Sequence, residues 1–212
     1  VELSYFVRGL AVGFAIAAPV GPIGILVIRR TLADGRMVGL VSGLGAATAD
    51  AFYGGIAAFG LTALSTVLVD AGSVIRLIGG AFLLYLGLTI VLSRPAEEAA
   101  SPRPRGLLSA YATTAFLTLT NPATILSFTG VFAGLGLADT HGSYASATAM
   151  VFGVLMGSSC WWLLLSSVLG LGRQRMGVRG MRWVNRIGGS VLVVFGATAI
   201  VSAIAPLRRG VG

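Results

Sequence analysis

Few residues in this chain can carry chemistry, and each of them interrupts an otherwise apolar stretch. Only 10% of the 212 residues are charged, and of the seven acids just one, Asp50, falls inside a long apolar run, between Met37 and Val69. Holding a carboxyl at the centre of a bilayer costs about 2.5–3.5 kcal/mol on insertion scales, so Asp50 is expected to face protein or water. There it can bind an ammonium, carry a proton or pair with an arginine, and a structural hydrogen bond between helices is the plainer alternative. Two proline motifs also break apolar runs: "PVGPIG" from Pro19 to Gly24, and "TNPATI" from Thr120 to Ile125. Proline removes a backbone donor and clashes with the preceding turn, while Gly21 and Gly24 ease departure from helical geometry. Both helices should kink or break there. In lipid the freed backbone groups are tolerated only beside protein or a watery cavity, and a half-helix N-terminus at such a break suits a carboxylate.

Around these positions the sequence supplies small and polar neighbours. Gly43, Ala46, Ala47 and Gly54 permit close backbone approach beside Asp50, and Tyr53 lies one turn from it. Ser158, Ser159, Trp161 and Trp162 occupy the corresponding region of the second half, where tryptophan serves either as ligand contact or as interfacial anchor. Thr118, Thr120, Thr124 and Ser127 can solvate the second break at Asn121 and Pro122. The substrate-contacting set is therefore Pro19, Gly21, Pro22, Asp50, Tyr53, Asn121, Pro122, Thr124, Ser158 and Trp161, with Asp50 the candidate for proton coupling. Other features carry little. "GLGAAT" from Gly43 has no preceding strand and so is no dinucleotide fingerprint, and His141 reads as a solvated loop residue. One His and one Cys, Cys160, make neither a metal cluster nor an intrachain disulfide, and no nucleophile and base pair can be assembled. No catalytic residue, metal or cofactor is expected.

The elements that position these residues follow from composition. With 56% hydrophobic residues and a mean hydropathy of +0.91, the chain cannot cover its apolar surface as a water-soluble globule. A net charge of +8 would suggest nucleic-acid binding in a soluble protein, but here the arginines do not gather on a polar face. A helix needs about 20 apolar residues to cross the hydrocarbon core. Arg8–Arg29, Arg36–Asp70 and Arg76–Arg94 bound three such runs, and Gly106–Ala138, Thr140–Gly172 and Ile187–Leu207 give three more. The expectation is an all-α multi-pass protein of the cell (inner or plasma) membrane, with repeats at 1–93 and 106–212 joined by a polar cytoplasmic linker at 94–105. The first run is too long for the apolar region of a secretory signal. Eleven arginines fall in the loops after helices 1, 3 and 5, including Arg29, Arg30, Arg36, Arg179, Arg182 and Arg186, against four on the other side. Arginine is retained in the cytoplasm, so both termini should lie outside.

The halves align on each other. "IGGAFLLYLGLT" from Ile78 and "IGGSVLVVFGAT" from Ile187 share six of twelve residues at an offset of 109. "GPIGIL" from Gly21 matches "NPATIL" from Asn121 at an offset of 100, and "DAFY" ending at Tyr53 matches "SSCW" ending at Trp161 at 108. With three helices per copy, the second must enter the membrane from the other side, and equivalent loops indeed differ in charge. The expected fold is six transmembrane helices as two inverted three-helix repeats with broken helices 1 and 4. Such repeats build secondary transporters, with substrate held at the repeat interface near the midplane, while a duplication without transport is the alternative. The pairs Gly9/Gly13, Gly39/Gly43, Gly130/Gly134 and Gly153/Gly157 read as helix-packing faces and are compatible with a homodimer.

The stretch from Pro19 to Leu64 resembles the LysE-type amino-acid exporters, whose members carry a proline and glycine motif in the first helix and an acid before an aromatic in the second. "TNPATILSF" from Thr120 is similar to their second Asn-Pro motif. The resemblance implicates Pro19, Gly21, Pro22, Asp50, Asn121 and Pro122, and implies export of amino acids or small amino-containing metabolites driven by the proton gradient. Ala123 and Thr124 stand where many members have lysine, so substrate preference does not transfer. Two other classes remain open: a cation or metal transporter on the same scaffold, which calls for more intramembrane ligands, and a membrane-embedded enzyme or accessory subunit, which calls for a polar cluster at one interface.

Overall fold

A computed structural model describes residues 2–19, 21–59, 72–92, 106–121, 124–125, 127–128, 143–172 and 178–209. The linker 94–105, Pro122, Gly130, Gly134, His141, and the loop acids Asp70 and Asp139 lie outside the described residues. Within them the chain forms helices α1 (Glu2–Ala17), α2 (Pro22–Ala33), α3 (Arg36–Ala58), α4 (Gly72–Leu92), α5 (Leu107–Leu119), α6 (Tyr144–Gly172) and α7 (Val178–Arg209), with no strand among the described residues. Three stretches are long and apolar enough to cross a membrane alone: Ser73–Leu92, Tyr144–Leu171 and Arg179–Ile204. α1 and α2 qualify together as one span bent by 79°, and α5 is a shorter apolar helix. This is a multi-pass α-helical membrane protein.

The expected break in the first helix is present. α2 starts at Gly21 with Pro22 in its first turn, where the missing proline N–H costs nothing. It ends at Ala33, and Gly35, the residue before α3, has a φ of 110° that is open to glycine and strained for side chains with a Cβ. That corner lets α3 begin at once, the Gly39 N–H bonding the Gly35 carbonyl at 3.1 Å. Arg29 and Arg30 depart from expectation. They belong to α2 rather than to a loop, with only 2% and 4% of their surfaces exposed. Arg182 and Arg186 likewise lie within α7, which begins at Val178. A charged residue does not end a helix, because its long stem can carry the guanidinium to a polar partner or to the interface.

Small residues set the packing. Buried positions Tyr5, Gly9, Val12, Gly13 and Ala17 form one face of α1, and Gly9 and Gly13 lie against the backbone of Met150 and Val154. In return Gly153 and Gly157 lie against Phe6 and Leu10, so α1 and α6 run parallel with their backbones in contact. α3 meets α5 in the same way, Gly45 packing on the Tyr111 carbonyl and the Ala115 N–H. α4 and α7 are antiparallel: Gly80 faces Gly196, and Gly87 faces Gly189. Side chains at these positions would push the helices apart, whereas glycine allows van der Waals contact between backbones in the absence of a strong hydrophobic drive. α3 and α6 are the central helices. α3 buries twelve residues over a broad face and leaves Met37, Leu44 and Phe52 exposed on the remaining side, which explains why a helix so rich in alanine and glycine holds its place.

Candidate functional site

Asp50 is 3% exposed on α3 and meets α6. Ser158 Oγ donates to its Oδ2 at 2.7 Å, and Trp162 Nε1 donates to Ser158 Oγ at 3.1 Å. Serine can donate once while accepting, so the three groups form a one-way chain of hydrogen bonds ending on the acid. Ser158 and Trp162 are four residues apart on α6 and therefore share a face. Along α3 and α6, Gly43 faces Trp162, Asp50 faces Ser158, and Gly54 faces Val154. Rising numbers on one helix meet falling numbers on the other, so the two are antiparallel and cross at the acid. Among the described residues no arginine lies within ion-pair reach of Asp50.

Apolar clusters flank this pair on both sides. Tyr53 and Val154 belong to one, with Ile56, Ile125, Phe128 and Met150. Ala47 and Trp162 belong to the other, with Ile23, Leu26, Leu117 and Leu192. Asp50 thus sits in a short polar layer between two apolar clusters, where a hydrogen bond is worth more than in water and an unpaired group costs more.

The helix breaks are tied to the same two helices. The Tyr53 hydroxyl donates to the Leu119 carbonyl at the end of α5, one of the acceptors freed where that helix stops. Beyond it, Asn121 opens a new turn, its carbonyl accepting from Thr124 and Ile125 at 3.1 and 3.3 Å. At the first break the Gly21 carbonyl accepts from Ile25 at 3.0 Å in the same way. Among the described residues, no atom lies within 4 Å of where a Gly21 side chain would begin, beside the start of α2. Pro22 and Thr124 are buried, Pro19 is exposed, and Gly21 and Asn121 are half-buried. Trp161 packs edge-on against Phe14 of α1, ring centroids 5.3 Å apart.

Three polar residues outside the sequence-based set also belong to the interior. Trp162, beside Trp161 in sequence, is the one that reaches Ser158; its spacing of four from Ser158 was the available signal. Arg30 Nη1 lies 2.9 Å from Ser42 Oγ, 2.9 Å from the Ala110 carbonyl and 2.8 Å from Thr114 Oγ1, joining α2 to α3 and α5. Arg29 Nε donates to Asn185 Oδ1 of α7 at 3.1 Å, with Asp34 Oδ2 3.6 Å from its Nη1. Nothing in a run of two arginines after an apolar helix distinguishes such burial from a solvated loop.

Comparison with known proteins fits this arrangement. Residues 14–203 match the LysE type translocator family, a span that includes both breaks, Asp50, Ser158 and the α4 and α7 glycines. The chain belongs to that family. A relative in Escherichia coli strain K12, described as "Uncharacterized membrane protein YahN", is 30% identical over 182 residues, covering 80% of this chain and 77% of the relative. Another in Bacillus subtilis strain 168, described as "Putative amino acid efflux protein YcgF", is 25% identical over 198 residues, covering 92% and 94%. No solved structure matches this LysE type translocator.

Proposed function

We propose that this LysE type translocator exports amino acids or small amino-containing metabolites by proton-coupled alternating access between two inverted three-helix halves. The observation that carries the reading is the Asp50–Ser158 pair, buried between two apolar clusters, with Tyr53 one turn along α3 bonded to a helix break. A carboxylate moving through a low-dielectric interior must be neutralised, because an uncompensated charge there costs several kcal/mol. A proton can neutralise Asp50, and so can a substrate ammonium. Competition between the two for one carboxylate couples export of the amine to entry of the proton. The backbone N–H groups at the start of α2, and those following Asn121, are suited to the substrate carboxylate. The name of the Bacillus relative points to the same substrate class.

The inverted arrangement is supported by contacts that repeat between the halves. Asp50 and Ser158 occupy equivalent positions 108 apart and bond to each other, as residues beside a two-fold axis do. Gly45 and Gly153, also 108 apart, each pack against one carbonyl and the N–H four residues on, of Tyr111 and Ala115 in one case and of Phe6 and Leu10 in the other. Gly80 and Gly189, 109 apart, face Gly196 and Gly87, which are themselves 109 apart. The Gly21 and Asn121 carbonyls accept from Ile25 and Ile125, both pairs shifted by 100. Under this reading the two apolar clusters act as gates on opposite sides of Asp50.

A survey of metabolites in the medium of overexpressing cells tests the substrate class. Accumulation of one or a few amino acids or amines, absent with Asp50→Asn, is the expected result. Unchanged medium across a broad amine panel would contradict it.

A further inference from the structure

We infer that the exposed arginine face at the start of α7 is a binding site for the phosphate of an anionic phospholipid headgroup. Arg179, Arg182, Arg186 and Trp183 line a concavity of about 170 Å³. Their spacing of three and four puts all four side chains on one side of the helix. The helix is anchored on a flank about 110° round from that face, where Asn185 is 1% exposed and bonded to Arg29, and the arginines themselves are exposed. Like charges at such spacings repel, and cations near a helix start also oppose its dipole. Among the described residues none of the three has an acidic partner, and Asp34, the acid in the Asn185 network, is engaged by Arg29. An anion in the concavity removes both penalties, and guanidinium groups offer paired donors matched to phosphate oxygens.

The position favours a lipid over a soluble phosphate. Trp183 is 60% exposed and begins an outward stripe continued by Ile187, Val194 and Val201, at 59%, 59% and 66%. These belong to the span Arg179–Ile204, so the stripe faces acyl chains and the arginines stand at its headgroup end. Tryptophan at that depth is a membrane-interface residue, and clustered arginine beside a span attracts anionic headgroups.

Retention of lipid by the purified full chain, read by native mass spectrometry in mild detergent, tests the site. Phosphatidylglycerol should be retained at about one tightly held molecule per chain and phosphatidylcholine should not. Combined Arg179→Gln, Arg182→Gln and Arg186→Gln should weaken retention on the order of a hundredfold. The corresponding triple lysine variant should keep much of it, and Arg8→Gln should keep all. Equal retention of both lipids by the wild-type chain, or undiminished phosphatidylglycerol on the triple glutamine variant, would overturn the proposal. So would displacement of the lipid by millimolar inorganic phosphate, which would mark a soluble-anion site instead. If the glutamine variant does not fold, the wild-type comparison of the two lipids and the phosphate competition decide the matter alone.

Discussion

At Asp50 the decisive property is its placement rather than its helix. In the two-half arrangement proposed above, its hydrogen-bond donor Ser158 stands in its place in the other half, and the carboxyl could then be contributed from either side. Asp50→Asn should reduce transport at least tenfold while the protein still reaches the membrane, since the amide keeps the volume and can still accept from Ser158. Ser158→Ala should cost about 1–3 kcal/mol of stability, the penalty for removing a buried partner, read from thermal unfolding in detergent. The double exchange Asp50→Ser with Ser158→Asp restores one acid and one hydroxyl at the crossing point. It should recover most of the transport that Asp50→Ser alone loses, and failure to do so in a folded protein would tie the acid to α3. Asp50, Tyr53 and Ser158 were legible in the sequence because a lone acid in an apolar run has few neutral explanations and the offset of 108 pointed to its counterpart. The choice between Trp161 and Trp162 was not, because adjacent residues on a helix point about 100° apart and only packing fixes the rotation of α6.

Among the elements, glycine carries the close contacts and arginine the long ones. Gly9/Gly13 and Gly153/Gly157 were legible as packing faces, yet only the fold shows them to be the two sides of one interface between α1 and α6. Gly13→Leu should therefore destabilise strongly, by about 1–3 kcal/mol or more of overpacking, and detergent-solubilised protein should show a lowered Tm or poor yield. The glycine-rich α4 and α7 motifs gave the alignment of the halves for the same physical reason: backbones in contact leave no room for substitution. Helix lengths were less legible, because arginine stems let α2 and α7 continue through charged residues that looked like loop. Arg30 shows the consequence. Arg30→Met should loosen the joint between α2, α3 and α5, with a loss of about 1–3 kcal/mol from the partners it abandons. Hydrogen exchange should rise first in α2 and the adjoining part of α5, and uniform exchange in the variant and wild type would remove the clamp from the account.

Seen as a whole, the molecule is a multi-pass translocator with Asp50 and Ser158 bonded where its two central helices cross. The arginines of α2, the Arg36 stem packed at Gly170 of α6, and the arginine face of α7 lie along the α2–α3 and α6–α7 connections. We propose from the orientation rule that this side is cytoplasmic and both termini lie outside. Tags at either terminus should react with an impermeant reagent in intact cells, and protection of both would reverse the orientation. The exchange of amine for proton at one buried carboxylate is the central claim, and purified protein in liposomes loaded with the exported amino acid measures it directly. An imposed pH gradient should drive amino-acid movement coupled to opposite proton movement in the wild-type chain, and Asp50→Asn should abolish both. Gradient-driven movement that persists in Asp50→Asn at the wild-type rate would contradict it.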